Sequence, residues 1–188
     1  MEEKKYFQVI YIQATLATLF LILAIFWQSP SLFNLLVAIF CGFLFWTLVE
    51  YLIHRFMEHP KNGTYIFQVW RLHKDHHRDP TIYKIANHTL SESFQIIPAI
   101  TLFCSILLWN LYLIPSIYFG VTLGFLLYEW VHYSSHFVKK PHPLVRTMVN
   151  IHLDHHRMNI KANYGISTDL WDWVFGTKVP LGSKNSNS

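Results

Sequence analysis

FCGFLFWTLVEYLIHRFMEH, Phe40 to His59, joins two kinds of chemistry within one short stretch. It is the end of an apolar run, Leu32 to Ile53, in which Glu50 is the only charge, and it passes directly into His54, Arg55 and His59. A helix rises about 1.5 Å per residue, so a run of this length covers a hydrocarbon core of about 30 Å. An apolar span that runs straight into imidazoles predicts a membrane helix that delivers metal ligands at a bilayer surface.

Three further runs have the same character. Phe7 to Trp27 carries no charge, Phe94 to Leu113 carries none, and Ile114 to Val131 has only Glu129. Gln28-Ser29-Pro30-Ser31 reads as a turn between the first two runs, and Asn110 with Pro115 divides the last two. A single broken helix is the alternative around Asn110. Only 14% of the 188 residues are charged and 52% are hydrophobic, against about 25% charged in a soluble domain. The expected fold is an all-α integral membrane protein, a single domain over 1–188. It has four transmembrane helices, about 7–27, 32–53, 94–113 and 114–131, in two hairpins. Cytosolic regions at 54–93 and 132–180 form a helical cap that carries a histidine-ligated dimetal site.

All 15 Lys and Arg fall outside the four runs. Lys4 and Lys5 precede the first. Arg55, Lys61, Arg71, Lys74, Arg78 and Lys84 separate the second from the third, and the other seven follow the fourth. Four crossings put all three groups on one side, which the positive-inside rule makes the cytosol. This distribution accounts for the net charge of +4 without nucleic acid, for which no readable patch or fold is present. Cys41 and Cys104 lie inside apolar runs, too few and too deep for a disulfide framework. The first run is too long for a signal-peptide core and lacks a small-residue cleavage site, so it is expected to be retained. Bacterial inner membrane and endoplasmic reticulum remain equal alternatives.

Ten of the 12 histidines form four clusters. His54 and His59 make HxxxxH. His73, His76 and His77 make HxxHH, His132 and His136 make HxxxH, and His152, His155 and His156 make a second HxxHH. Residues at i, i+3 and i+4 share a helix face, so each HxxHH is expected to present three imidazoles to one point. His54 and His59 are five apart, which a straight helix does not align, so the helix should end or bulge there. The triads follow the pairs by 19 and 20 residues, which suggests two similar halves that bring five histidines each to a shared centre. Ten imidazoles exceed the needs of one ion, and two ions follow. His88 and His142 stand outside the pattern and read as interfacial anchors. A carboxylate near the end of a span usually has a partner. Glu50 and Glu129 are therefore candidates to accept a ligand histidine N–H and orient the ring, or else to snorkel or pair with an arginine. Asp75 and Asp154, inside the triads, are expected beside the ligands or in solvent rather than on the metal.

These four motifs, in this order on a four-span chain, resemble the fatty acid hydroxylase superfamily of membrane di-iron enzymes. Asn163 to Thr177, NYGISTDLWDWVFGT, is similar to the segment after the last histidine box, and EYLIHRFMEH is most similar to fatty acid 2-hydroxylases. The resemblance covers residues 46 to 178. It implies that His54, His59, His73, His76, His77, His132, His136, His152, His155 and His156 ligate two iron ions, with zinc a substitute in purified protein. It further implies O2 as co-substrate, a lipid or fatty acyl substrate hydroxylated at the 2-position, and an electron donor. Many eukaryotic members carry a cytochrome b5 domain, for which no room exists before Phe7. A separate donor is therefore expected: a cytochrome b5-like protein, a ferredoxin or a reductase. A carotenoid or sterol hydroxylase or desaturase shares the boxes and is the enzyme alternative. A metal transporter or storage protein is the alternative from another class, but it calls for polar residues along the spans, where this chain has almost none.

Overall fold

The computed structural model describes residues 2–28, 30–60, 68–80 and 88–183. Lys61, Lys84 and Lys184, used above to orient the chain, and Ser29 of the first turn lie outside the described residues. No strand is present among the described residues. The helices are α1 (Glu2–Leu23), α2 (Leu32–Leu52), α3 (Gln68–Arg78), α4 (Leu90–Leu107), α5 (Ile114–Phe137), α6 (Arg146–Arg157) and the short α7 (Leu170–Val174). A π-helical segment, Ala24–Gln28, extends α1, and another, Ile53–Glu58, extends α2. Three helical stretches are long and apolar enough to cross a membrane: Glu3–Trp27, Leu32–Glu58 and Leu111–Phe137. The apolar part of α4, Ser91–Leu107, is shorter. Between α4 and α5 the backbone breaks, with Trp109 at φ 52°, so the two are separate helices rather than one interrupted helix.

The chain divides into two compact units, with boundaries inside α2 and α5. The first is Met1–Trp46 with His88–Leu127. It is apolar outside as well as inside: Tyr11, Phe26, Phe33, Phe40, Phe103 and Trp109 are all exposed. Such a surface suits lipid, not water. Several polar groups in its interior are paired. Gln13 donates to Ser93 Oγ at 3.0 Å, and the hydroxyls of Thr101, Ser105 and Thr122 each donate to the carbonyl four residues back. That local bond lets a hydroxyl sit in an apolar helix at little cost. A capping box at Thr89 and Glu92 starts α4.

Between α2 and α5 the packing depends on small residues. A Cβ on Gly120 would overlap the carbonyl oxygen of Ile39, and one on Gly42 would overlap that of Ile117. Trp46 lies over Gly124 and meets Phe125 edge to face, with ring centroids 5.4 Å apart. Without a solvent-driven force between helices in lipid, this close backbone approach is how such helices hold together. Gly120→Ala should destabilise the fold by about 1–3 kcal/mol through overpacking. Thermal unfolding in detergent checks this; an unchanged midpoint would show that the helices do not meet at Gly120.

The second unit is Thr47–Asn87 with Tyr128–Ser188. It contains the end of α2 with its π-helical extension, α3, the end of α5, α6 and α7. All ten clustered histidines belong to it.

Candidate metal centre

The five-residue spacing of His54 and His59 is accommodated by the π-helical segment Ile53–Glu58, in which His59 N donates to His54 O at 3.1 Å. An i→i+5 turn places residues five apart one above the other, as the bulge expected from the sequence requires. His132 and His136 occupy successive turns of α5, and the two HxxHH triads form the last turns of α3 and α6.

The ten imidazoles assemble into two groups of five. One comprises His54, His59, His73, His77 and His155, the other His76, His132, His136, His152 and His156. Within each group the candidate ligand atoms all lie within 4.8 Å of one another. The sequence predicts five histidines from each half at a shared centre; the two groups instead mix residues of both halves. Each triad sends its middle histidine to the other group: His76 joins the ligands of the second half, and His155 those of the first. A single face therefore does not present all three imidazoles of a triad to one point. At about 100° per residue, i and i+4 lie about 40° apart, while i+3 lies about 60° to the other side of i.

The nitrogen spacings test whether metal ions fit. His54 Nε2 is 3.2 Å from His73 Nε2, which is 3.0 Å from both His59 Nε2 and His77 Nε2. His155 Nε2 is 3.0 Å from His59 Nε2. In the second group His132 and His76 are 3.1 Å apart, His136 and His152 3.2 Å, and His156 and His152 3.1 Å, all between Nε2 atoms. Two nitrogens bound at about 2.1 Å and at right angles on one ion lie about 3.0 Å apart. The donor set thus fits two transition-metal ions.

Several rings are fixed from behind. His54 Nδ1 is 2.5 Å from Tyr164 O and His155 Nδ1 is 2.7 Å from Ala162 O. His73 Nδ1 is 3.2 Å from Glu58 Oε2. An Nδ1–H that donates outward leaves the Nε2 lone pair aimed at the centre. The carbonyls of Ala162 and Tyr164 belong to a buried strap, residues 162–167. Asp172 accepts from the amides of Tyr164 and Gly165, both at 2.7 Å. Glu50 accepts from the amides of Ile166 at 2.9 Å and Ser167 at 2.7 Å, and from the Ser167 hydroxyl. Asn163 adopts a left-handed conformation, φ 54°, which asparagine tolerates. A Cβ on Gly165 would overlap Thr168 O and meet the Asp172 carboxylate.

Glu50 is therefore placed on the strap, and Glu129 is fully buried one turn before His132. Asp75 is exposed. Asp154 accepts from Gly182 N at 2.8 Å. His88 and His142 belong to neither group; their rings lie by Phe125 and Trp130. Glu58 and Asp172 were not singled out in the sequence. Glu58 sits directly before His59, and only the π-helical turn reveals that it reaches His73.

A pocket of about 880 Å³ opens onto the centre, with His59, His73, His77 and His156 in its lining and Arg55, Lys74, Arg78 and Lys161 around it. Arg55 donates to Tyr51 OH at 2.7 Å and lies over the Tyr164 ring, 6.0 Å from its centroid.

Burial, and then the neighbouring imidazoles, disfavour protonation of the histidines. The pKa falls to about 2 for His59 and to about 3 for His76 and His77. His155 falls to about 4, mainly by burial. His73, His152 and His156 are also held well below the ordinary value, by burial first and then by the neighbouring imidazoles. Neutral imidazole is the ligating form.

The model of the fatty acid hydroxylase family matches residues 39–177, and the chain belongs to that family. The fatty acid 2-hydroxylase of Mus musculus is 35% identical over 150 residues, 74% of this chain and 38% of that protein. The dihydroceramide fatty acyl 2-hydroxylase FAH2 of Arabidopsis thaliana is 31% identical over 147 residues, 72% of this chain and 58% of that one. The chain thus spans between about two-fifths and three-fifths of the length of these relatives. A solved structure of full-length Scs7p, with only its hydroxylase domain visible, shares the fold. Its TM-score is 0.77 at 24% identity, over 97% of this chain and 69% of that one.

In the unfolded chain each histidine titrates near about 6.5, whereas in the fold His155 resists protonation until about pH 4 and His76 until about pH 3. Between those values only the unfolded state takes up protons, so stability present at neutral pH is lost as pH falls below about 6.5. The melting temperature of metal-free protein should therefore drop steadily from pH 7 to pH 4.5; a flat profile would contradict burial of neutral imidazoles.

Proposed function

We propose that the chain hydroxylates lipid acyl chains at the 2-position, with two iron ions held by the ten histidines. The observation that carries this reading is the pair of five-nitrogen clusters, side by side in one unit and opening onto one pocket. Imidazole suits iron, which the two groups of five nitrogens would hold. When bound, iron would supply the activation of O2 in which two electrons from a donor, two from a C–H bond and two protons give C–OH and water. Zinc can occupy the same nitrogens in purified protein but has no redox chemistry.

The chain's own residues do the rest. His54, His73 and His155 are oriented by Tyr164 O, Glu58 and Ala162 O, so their lone pairs face the ions without reorganisation. The pocket is large enough for a lipid head, and Arg55, stacked on Tyr164 and bonded to Tyr51, offers donors to a carbonyl or head-group oxygen. A head seated there leaves the carbon next to the acyl carbonyl as the one nearest the imidazoles. The relatives named as acting on fatty acids and dihydroceramide support an acyl substrate. The distribution of Lys and Arg supports four crossings in two hairpins, with the histidine clusters on the cytosolic face. In that arrangement α4 is the third of the four spans and the acyl tail lies in the bilayer.

Lipid mass spectrometry of an expressing host should reveal 2-hydroxy acyl chains that are absent from cells without the gene. His155→Ala should lower them by at least about 100-fold, beyond the usual cost of losing an outer partner of a metal ligand. Identical lipids in all three strains would sink the proposal, and hydroxylated carotenoid or sterol in place of acyl product would redirect it.

A further inference from the structure

The two clusters are equal in number of donors but not in what stands behind them. In the first, His54 and His155 each have a main-chain carbonyl at Nδ1, and His73 has the Glu58 carboxylate. In the second, the Nδ1 atoms of His76, His152 and His156 are buried without a hydrogen-bond partner among the described residues. His77 of the first cluster is the exception there, with a buried and unpartnered Nδ1 of its own. An imidazole that ligates through Nε2 carries its proton on Nδ1. A partner for that proton fixes the ring and raises its basicity, while a buried proton without one opposes ligation.

Both carbonyls come from the 162–167 strap, and the strap is held at each end by a buried carboxylate. Asp172 takes the amides of Tyr164 and Gly165. Glu50 takes those of Ile166 and Ser167 together with the Ser167 hydroxyl. Asp172 is itself tied through the Thr177 hydroxyl at 2.7 Å, which lies 2.9 Å from Tyr51 OH. Nothing comparable stands behind His76, His152 and His156 among the described residues.

We infer that the two ion sites are inequivalent: the site of His54, His59, His73, His77 and His155 binds its ion more tightly, and Glu50 and Asp172 are positioning residues that act on it through the 162–167 strap. This inference rests on the two-ion reading above. Loss of an outer partner typically weakens a metal site 10- to 100-fold. The first site has three such partners, so the separation in affinity should be at least tenfold.

The test is equilibrium competition of Zn²⁺ against a chromophoric chelator, on metal-stripped full-length protein in detergent, with bound metal counted by mass spectrometry. His152→Ala impairs only the second site and should retain a tight ion. His54→Ala impairs only the first and should hold its remaining ion at least tenfold more weakly. Equal affinity in the two variants, or the reverse order, overturns the inference. Glu50→Gln should weaken the tight class at least tenfold and leave the weak class unchanged; a merely structural role would weaken both classes together. Ser167→Ala, which removes only the hydroxyl bond to Glu50, is the milder variant should Glu50→Gln not fold, and should give a smaller shift in the tight class alone. Wild-type protein that takes up no ion would remove the two-ion reading and this inference with it. Two ions of equal affinity would remove this inference alone.

Discussion

Ten imidazoles whose ring nitrogens converge in two clusters are the constraint on which the second unit depends. Nitrogens 3.0 to 3.2 Å apart, facing the middle of one cluster or the other, do not stabilise one another. Burial also removes the water that would solvate them, at about 1–3 kcal/mol for each unsatisfied group. On the two-ion reading, metal ions would turn this concentration of unfavourable terms into bonds, and binding free energy would also be folding free energy. The elements that carry the histidines are consistent with that dependence. α3 and α6 are 11 and 12 residues long, a length at which an isolated helix is marginal in water. Their histidines close the unit.

Much of this was legible in the sequence because imidazole spacing and apolar length are local properties. Runs long enough to span a bilayer fix where the helices lie, and helical periodicity brings His132 and His136 onto one face of α5. The interval of five between His54 and His59 demanded a departure from α geometry, and the π-helical turn at Ile53–Glu58 provides it. The break between α4 and α5 was marked by Asn110 and Pro115, although α4 ends at Leu107, before the boundary that hydropathy alone suggests.

What the sequence concealed is long-range. The exchange of His76 and His155 between clusters depends on how α3 and α6 face each other, which spacing along one helix cannot encode. The i+3 position is turned about 100° from i+4, so it can serve a neighbouring centre, but only packing decides that it does. The exchange makes each cluster a joint product of both halves: neither half can complete five donors alone. The 162–167 strap was hidden for the same reason. Asp172 follows it in sequence, but Glu50 precedes Ile166 by 116 residues, and the groups accepted are main-chain amides with no side-chain signature.

Charge explains why acids accompany so neutral a donor set. Imidazole in its ligating form contributes no charge, so on the two-ion reading two divalent ions would bring four positive charges into a largely buried site. An unpaired buried charge is expensive, whichever its sign. In the same unit Glu50, Glu129 and Asp172 are buried and Glu58 is partly so, where a lone carboxylate would be equally costly. Cations and carboxylates separated by a ring or a peptide lower each other's burial cost while the carboxylates stay off the metal. On that reading nitrogen donors would keep the coordination positions. The acids would act from one step further out, through the Nδ1 of His73 or the amides of the strap, setting orientation and field without ligating.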